Sequence, residues 1–367
     1  MKKLLLILLA ITVQSVFAQQ VSKTIEFGGV NRQYLEYVPT IYDGSEAVPL
    51  VICLHGLGDN MNNFSGIQMN RVADTANFII LTPQALSSML GTAWNSGASM
   101  YGMQLNDDVD DVGFIGTLID YASDTYNIDI QRVYATGFSL GGFMSNRLAC
   151  EYAHRITAIA SIAGTIGSAL DCSPSRAIPV MHFHGTADGT IDYDANQYGM
   201  GVEEMLNFWV ENNQCDETAI ITEFPDIAND GLTAEHHLYG NGTAGTVVEH
   251  VKIFGADHDW LYKPVNDVDY TTLIWEFFSK HKFVGANIDK AENIGFEVYP
   301  NPASEVLNIS CEEDGIMEMY SLDGKIILSE KIKAGTNTIS LQDLKTGSYL
   351  LKYTNGKQHS TKVISRK

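Results

Sequence analysis

No stretch of this 367-residue chain approaches the roughly 20 consecutive apolar residues that a membrane-spanning helix needs, so a span of that kind is not expected. Basic side chains are also scarce: 23 Lys and Arg against 44 Asp and Glu leave a formal net charge of −21. The deficit is uneven. Residues 293–367 hold nine basic and nine acidic groups, whereas residues 19–292 hold 12 basic against 35 acidic. A body this acidic repels nucleic acid and anionic membrane surfaces, which excludes both as expected partners. Cysteine is rare and odd in number, five in all, with no CxxC or Cys/His spacing that would ligate a metal. Cys53 lies in the apolar run Val51-Ile52-Cys53-Leu54 and reads as a buried thiol, and Cys311 lies near the C-terminus. One disulfide is expected among Cys150, Cys172 and Cys215, and the spacing does not choose the pair.

What is present begins with an export signal. Met1-Lys2-Lys3 is a basic start, Leu4 to Ala10 an apolar core, and Val16-Phe17-Ala18 a small-residue cleavage pattern. Residues 1–18 are therefore expected to be a signal peptide, with Gln19 opening a secreted protein. From there the pattern is a hairpin over 23–38, then buried strands at 48–54, 78–82, 133–136, 157–162, 180–184 and 247–254. Helical patterns are expected from about residue 59 to Asn77 and over 112–126, 142–149, 198–213 and 269–283. Such alternation predicts an α/β fold, a mostly parallel sheet with helices on both faces. Residues 84–105, rich in Gly, Ser and Met, read as a loop bordering the site. Asp107-Asp108-Val109-Asp110-Asp111 could hold calcium, but no glycine turn or distal glutamate completes an EF-hand, and acidic groups suit a helix N-terminus. The body is expected to end at 284, followed by a polar linker over 285–295. Short alternating strands over 296–367 then predict a small all-β sandwich.

Chemistry concentrates at Gly137-Phe138-Ser139-Leu140-Gly141. A strand precedes it and an amphipathic helix follows, the context in which Gly-x-Ser-x-Gly forms a nucleophile elbow. Serine needs a base, and the base needs an orienting carboxylate, in the chain order serine, acid, histidine. Asp188 sits in the turn after a late strand, with Asp192 and Asp194 as rivals; His258 follows the last strand. His182 and His184 lie within a strand and are expected to satisfy structural hydrogen bonds. His236 and His237 read as part of an insertion. Two backbone amides, Leu140 after the serine and Leu57 in His55-Gly56-Leu57-Gly58, are expected to form the oxyanion hole. Trp94 and Trp260 flank the site as candidates for stacking on substrate, with simple packing as the alternative.

Leu54-His55-Gly56-Leu57-Gly58, Trp94-Asn95-Ser96-Gly97, the run Arg132 to Gly142, His184-Gly185-Thr186-Ala187-Asp188 and Gly255-Ala256-Asp257-His258-Asp259-Trp260 together resemble a secreted esterase family. That family, within the α/β-hydrolase superfamily, groups polyhydroxybutyrate depolymerases with feruloyl and acetyl xylan esterases. The resemblance covers roughly residues 23–283 and implies ester hydrolysis without a cofactor, with Ser139, Asp188 and His258 on the family's triad. The substrate it implies is a polysaccharide ester of the plant cell wall, or alternatively a polyester. The chain departs from the family at Leu140, often Asn there, and at Leu261, often Pro. A surface carbohydrate-binding protein without activity is the alternative of another class. The tail, through Val298-Tyr299-Pro300-Asn301-Pro302-Ala303, Tyr320-Ser321-Leu322-Asp323-Gly324-Lys325 and Gly347-Ser348-Tyr349-Leu350-Leu351-Lys352, resembles the sorting domain of type IX secretion cargo in Bacteroidetes. This implies the type IX machinery as a partner and an extracellular or cell-surface destination.

Overall fold

The structure, a computed structural model, describes residues 19–100, 102–283, 296–321, 325–342, 344–345, 347–355 and 359–366. The expected signal peptide and linker lie outside them. The chain divides into two compact units, the first ending at Phe283 and the second beginning at Val284.

Strand β3 (Val48–Leu54) shows why the first unit forms a three-layer fold, and it follows the hairpin β1 (Gln19–Phe27) and β2 (Val30–Val38). All seven residues of β3 are buried. Side chains alternate across a strand, so Leu50, Ile52 and Leu54 enter one apolar cluster while Val51 and Cys53 enter the other. A short helix α1 (Met61–Phe64), a 3-10 turn and α2 (Met69–Ala76) lead to β4 (Ile79–Pro83). The single helix expected up to Asn77 is thus broken, at Gln68, whose φ of 64° cannot continue a right-handed helix. The expected loop 84–105 contains two small hairpins, β5 (Leu86–Ser88) with β6 (Gly91–Ala93) and β7 (Ser99–Met100) with β8 (Met103–Gln104).

Helix α3 (Asp111–Thr125), β9 (Ile128–Phe138), α4 (Leu140–Glu151), β10 (Ala158–Ile162) and β11 (Val180–Gly185) follow. The unit finishes with α5 (Val202–Asn213), β12 (Ile220–Glu223), β13 (Thr233–Tyr239), β14 (Val248–Phe254) and α6 (Tyr270–Ser279). Ten strands form one sheet in the order β1-β2-β4-β3-β9-β10-β11-β14-β13-β12. The run from β4 to β14 is parallel and both edges are antiparallel. Helices α3, α4 and α5 cover one face through Phe114, Leu118, Met144, Leu148 and Trp209; α2 and α6 cover the other through Met69, Val72, Ile274 and Phe278. His236 and His237 lie on β13, which pairs antiparallel with β14 on one side and with the edge strand β12 on the other. Cys150 and Cys172 form a disulfide, and Cys53, Cys215 and Cys311 are buried thiols.

The second unit is all-β. Phe296–Tyr299, Val306–Cys311 and Gly335–Ser340 form one sheet; Gly315–Tyr320, Ile326–Ile332, Gly347–Thr354 and His359–Arg366 form another. Leu307, Ile309, Met317, Met319, Leu351 and Ile364 make an apolar core of its own.

Candidate active site

The parallel strands deliver their carboxyl ends to one edge of the sheet, where open α/β sheets place ligands. At the end of β9, Ser139 has φ 56° and ψ −121°, a backbone conformation that costs a non-glycine residue about 1–3 kcal/mol. The turn is held by neighbours: the Ser139 amide donates to the Ile162 carbonyl at 2.8 Å, and its own carbonyl accepts from Gly142 and Phe143. The flanking glycines are required by contact. A Cβ on Gly137 would collide with the Gly141 backbone, and one on Gly141 with the Leu54 carbonyl. Leu140 opens α4, so its N–H has no partner within the helix.

Asp188 follows β11 and is 4% exposed. Its Oδ1 accepts the Thr190 and Ile191 amides at 2.8 Å each, and its Oδ2 lies 2.7 Å from His258 Nδ1. Burial pushes this carboxyl up, but hydrogen bonds from His184 and His258, with the Ile191 amide, overcome it and hold the group well below the ordinary carboxylate range. A carboxylate cannot donate, so Nδ1 of His258 carries the proton and Nε2 is the basic nitrogen. Asp257, exposed beside it, accepts the amides of Gly189 and His258 at 3.0 and 2.8 Å and ties the acid turn to the histidine turn. The rival Asp192 instead accepts the amides of Asp194 and Ala195.

Ser139 and His258 line one cavity of about 350 Å³, together with Leu57, Leu140, Phe143 and Tyr198. Gly56 lies against Ser139, close enough that a Cβ there would touch the serine side chain, which brings the Leu57 turn to Ser139. His55 holds that turn from beneath: it is fully buried, its Nδ1 donates to the Gly56 carbonyl, and its Nε2 accepts the Ala85 amide.

Trp94 is a correction. It is fully buried, and its indole N–H donates to the His55 carbonyl at 2.9 Å, so it props the glycine turn and presents no face to a substrate. Trp260 is partly buried, edge-on to Phe64 and Phe138, and lines a second cavity adjoining the first. His184 is a residue that sequence reasoning left outside the site. Its Nε2 lies 2.7 Å from the Ile191 carbonyl and 3.3 Å from Asp188 Oδ2, and its Nδ1 faces His182 Nε2 at 3.0 Å. The acidic run also resolves: Asp110 caps α3 through the Gly113 amide, and Asp111 is buried against Arg32 at 2.7 Å.

A mostly parallel sheet with this elbow after β9, an acid after β11 and a histidine after β14 defines an α/β-hydrolase. Residues 36–217 match the Phospholipase/Carboxylesterase family, and residues 297–366 match the Secretion system C-terminal sorting domain. Curated relatives include Bifunctional acetylxylan esterase/xylanase XynS20E of Neocallimastix patriciarum, 27% identical over 63% of this chain. Feruloyl esterase B of Piromyces equi is 28% identical over 62% of it, and Feruloyl esterase D of Neurospora crassa 28% over 70%. The chain spans 31% and 42% of the first two and 84% of the third. Among solved structures, an acetyl xylan esterase from Aspergillus awamori is similar at 17% identity and a TM-score of 0.49, covering 69% of this chain and 98% of that one.

Proposed function

We propose that this chain is a secreted serine hydrolase of carboxylic esters, removing feruloyl or acetyl groups from plant cell-wall polysaccharide. The carrying observation is the 2.7 Å pair between Asp188 and His258, with His258 and the strained Ser139 on one cavity. His258 Nε2 takes the Ser139 proton as Oγ attacks the ester carbonyl, and Asp188 stabilises the resulting imidazolium. The Leu57 and Leu140 amides receive the oxyanion. The tetrahedral intermediate collapses, the C–O bond to the alcohol breaks, and His258 returns its proton to that oxygen. Water then repeats the sequence on the acyl-serine and releases the acid. Every proton and electron pair is accounted for by the three side chains and water, with no cofactor in any step.

The relatives' names favour feruloyl and acetyl esters, and the cavity beside Ser139 has room and apolar walls for an aromatic acyl group. The sorting domain favours export beyond the outer membrane by type IX secretion. Replacing Ser139 by Ala is expected to lower kcat on methyl ferulate and para-nitrophenyl acetate by at least about 10⁴-fold and to abolish labelling by a fluorophosphonate. Retained turnover would overturn the assignment.

A further inference from the structure

The ester carbonyl at Ser139 divides any substrate into an acyl half and an alkoxy half, and the two halves meet different surroundings. His258 must return its proton to the alkoxy oxygen, so that half lies on the histidine side of the nucleophile. The cavity shared by Ser139 and His258 is walled largely by Leu57, Leu105, Leu140, Phe143, Ile191 and Tyr198, an environment for an apolar acyl group. A second cavity, of about 480 Å³, opens past Phe138. Phe138 and Asp59 line both, and the Phe138 ring lies 4.7 Å from the His258 imidazole. Trp260 and Tyr262, two and four residues beyond His258, line this second cavity, so it borders the histidine turn.

Its chemistry differs from that of the first. Asp59, Asn63, Arg71 and Asp269 supply carboxylates, an amide and a guanidinium, beside two amphipathic aromatic rings. Arg71 pairs with Asp269 at 3.3 Å but keeps half of its side chain in solvent, so it can turn to a ligand. Tyr262 is 46% exposed. Adjacent hydroxyls match such a set of donors and acceptors, and the C–H face of a sugar ring matches the aromatic rings. An apolar alkoxy group would instead strip water from two carboxylates and a guanidinium without replacing its hydrogen bonds.

Resting on the esterase reading above, we propose that this second cavity seats the leaving alcohol and selects a polyhydroxylated one, a sugar unit of an acylated glycan. The preferred substrate is then an apolar acyl group on a glycan, and polyesters, with apolar repeats on both sides of the scissile bond, are disfavoured.

The test compares kcat/KM for two feruloyl esters, the methyl ester and that of an arabinoxylan oligosaccharide, in the wild-type chain and in Arg71→Ala/Tyr262→Ala. Both replaced side chains are solvent-exposed, and thermal unfolding checks that the variant folds. The sugar-to-methyl ratio is expected to fall about tenfold or more in the variant, chiefly through KM. An unmoved ratio overturns the inference and leaves the esterase reading standing. A wild-type chain that cleaves neither of these esters nor para-nitrophenyl acetate overturns the esterase reading. Where neither feruloyl ester is cleaved, the site is judged by calorimetric titration with the unesterified oligosaccharide: heat of binding lost in the variant supports it, and no binding to the wild type, or binding unchanged in the variant, overturns it.

Discussion

Ser139, Asp188 and His258 are separated by dozens of residues in the chain, yet each stands at the carboxyl end of a parallel strand, which is why order and position were enough to nominate them. The surroundings were less legible. Nothing near Trp94 in the chain says whether it faces water, because it is buried by an apolar cluster drawn from distant segments and its N–H is met by the carbonyl of His55, 39 residues away. His184 was hidden for a different reason: its strand is buried throughout, so its contact with Asp188 depends on how the turn 186–191 folds back. Buried histidines also set a pH limit. Burial lowers His182 and His250 well below 6.5 and brings His281 down to about 4. Below pH 6.5 the unfolded chain gains protons at these sites that the folded unit refuses, so stability falls as pH is lowered from 6.5 towards 4. The melting temperature is expected to drop steadily across that window, and His281→Phe to flatten part of the slope.

Elements with one buried face or two buried faces were readable: the continuous apolar run of β3 and the periodic α3 are where the sequence pattern placed them. The strands at the far end of the sheet were not, since β12 is exposed at every position and β13 buries only Ala234, leaving no alternation to detect. The hairpins within 86–104 lack a period as well, and their position depends on tertiary anchors. The chief anchor is Arg32 of β2, 1% exposed, which meets Asp111 at the start of α3. Asp111 also accepts the Asn95 amide at 2.8 Å, and Arg147 of α4 donates to the Asn95 carbonyl. The segment leading to Ala98 and Ser99, which line the cavity beside Ser139, is thereby fixed to α3 and α4 through Asn95. Arg32→Ala would leave Asp111 buried without its cation, and unfolding by urea should register a loss of about 3 kcal/mol or more. KM for methyl ferulate should rise in the same variant.

At the scale of the molecule, the two units keep separate apolar cores, and every side chain of the proposed chemistry belongs to the first. The proposed cycle asks nothing of the sorting domain. A chain ending at residue 283 is expected to hydrolyse methyl ferulate with a kcat/KM within about twofold of the full chain, while losing passage to the medium. Cell fractionation with an activity assay on each fraction checks both halves of that statement. A truncated chain that folds but does not turn over would place part of the site in the tail.

One ring, Phe138, is a party wall between two chambers and the immediate chain neighbour of Ser139. Room gained on one side of such a partition is taken from the other. Tastes for the acid and for the alcohol are therefore mechanically linked in this scaffold, and descendants that change one are expected to drift in the other.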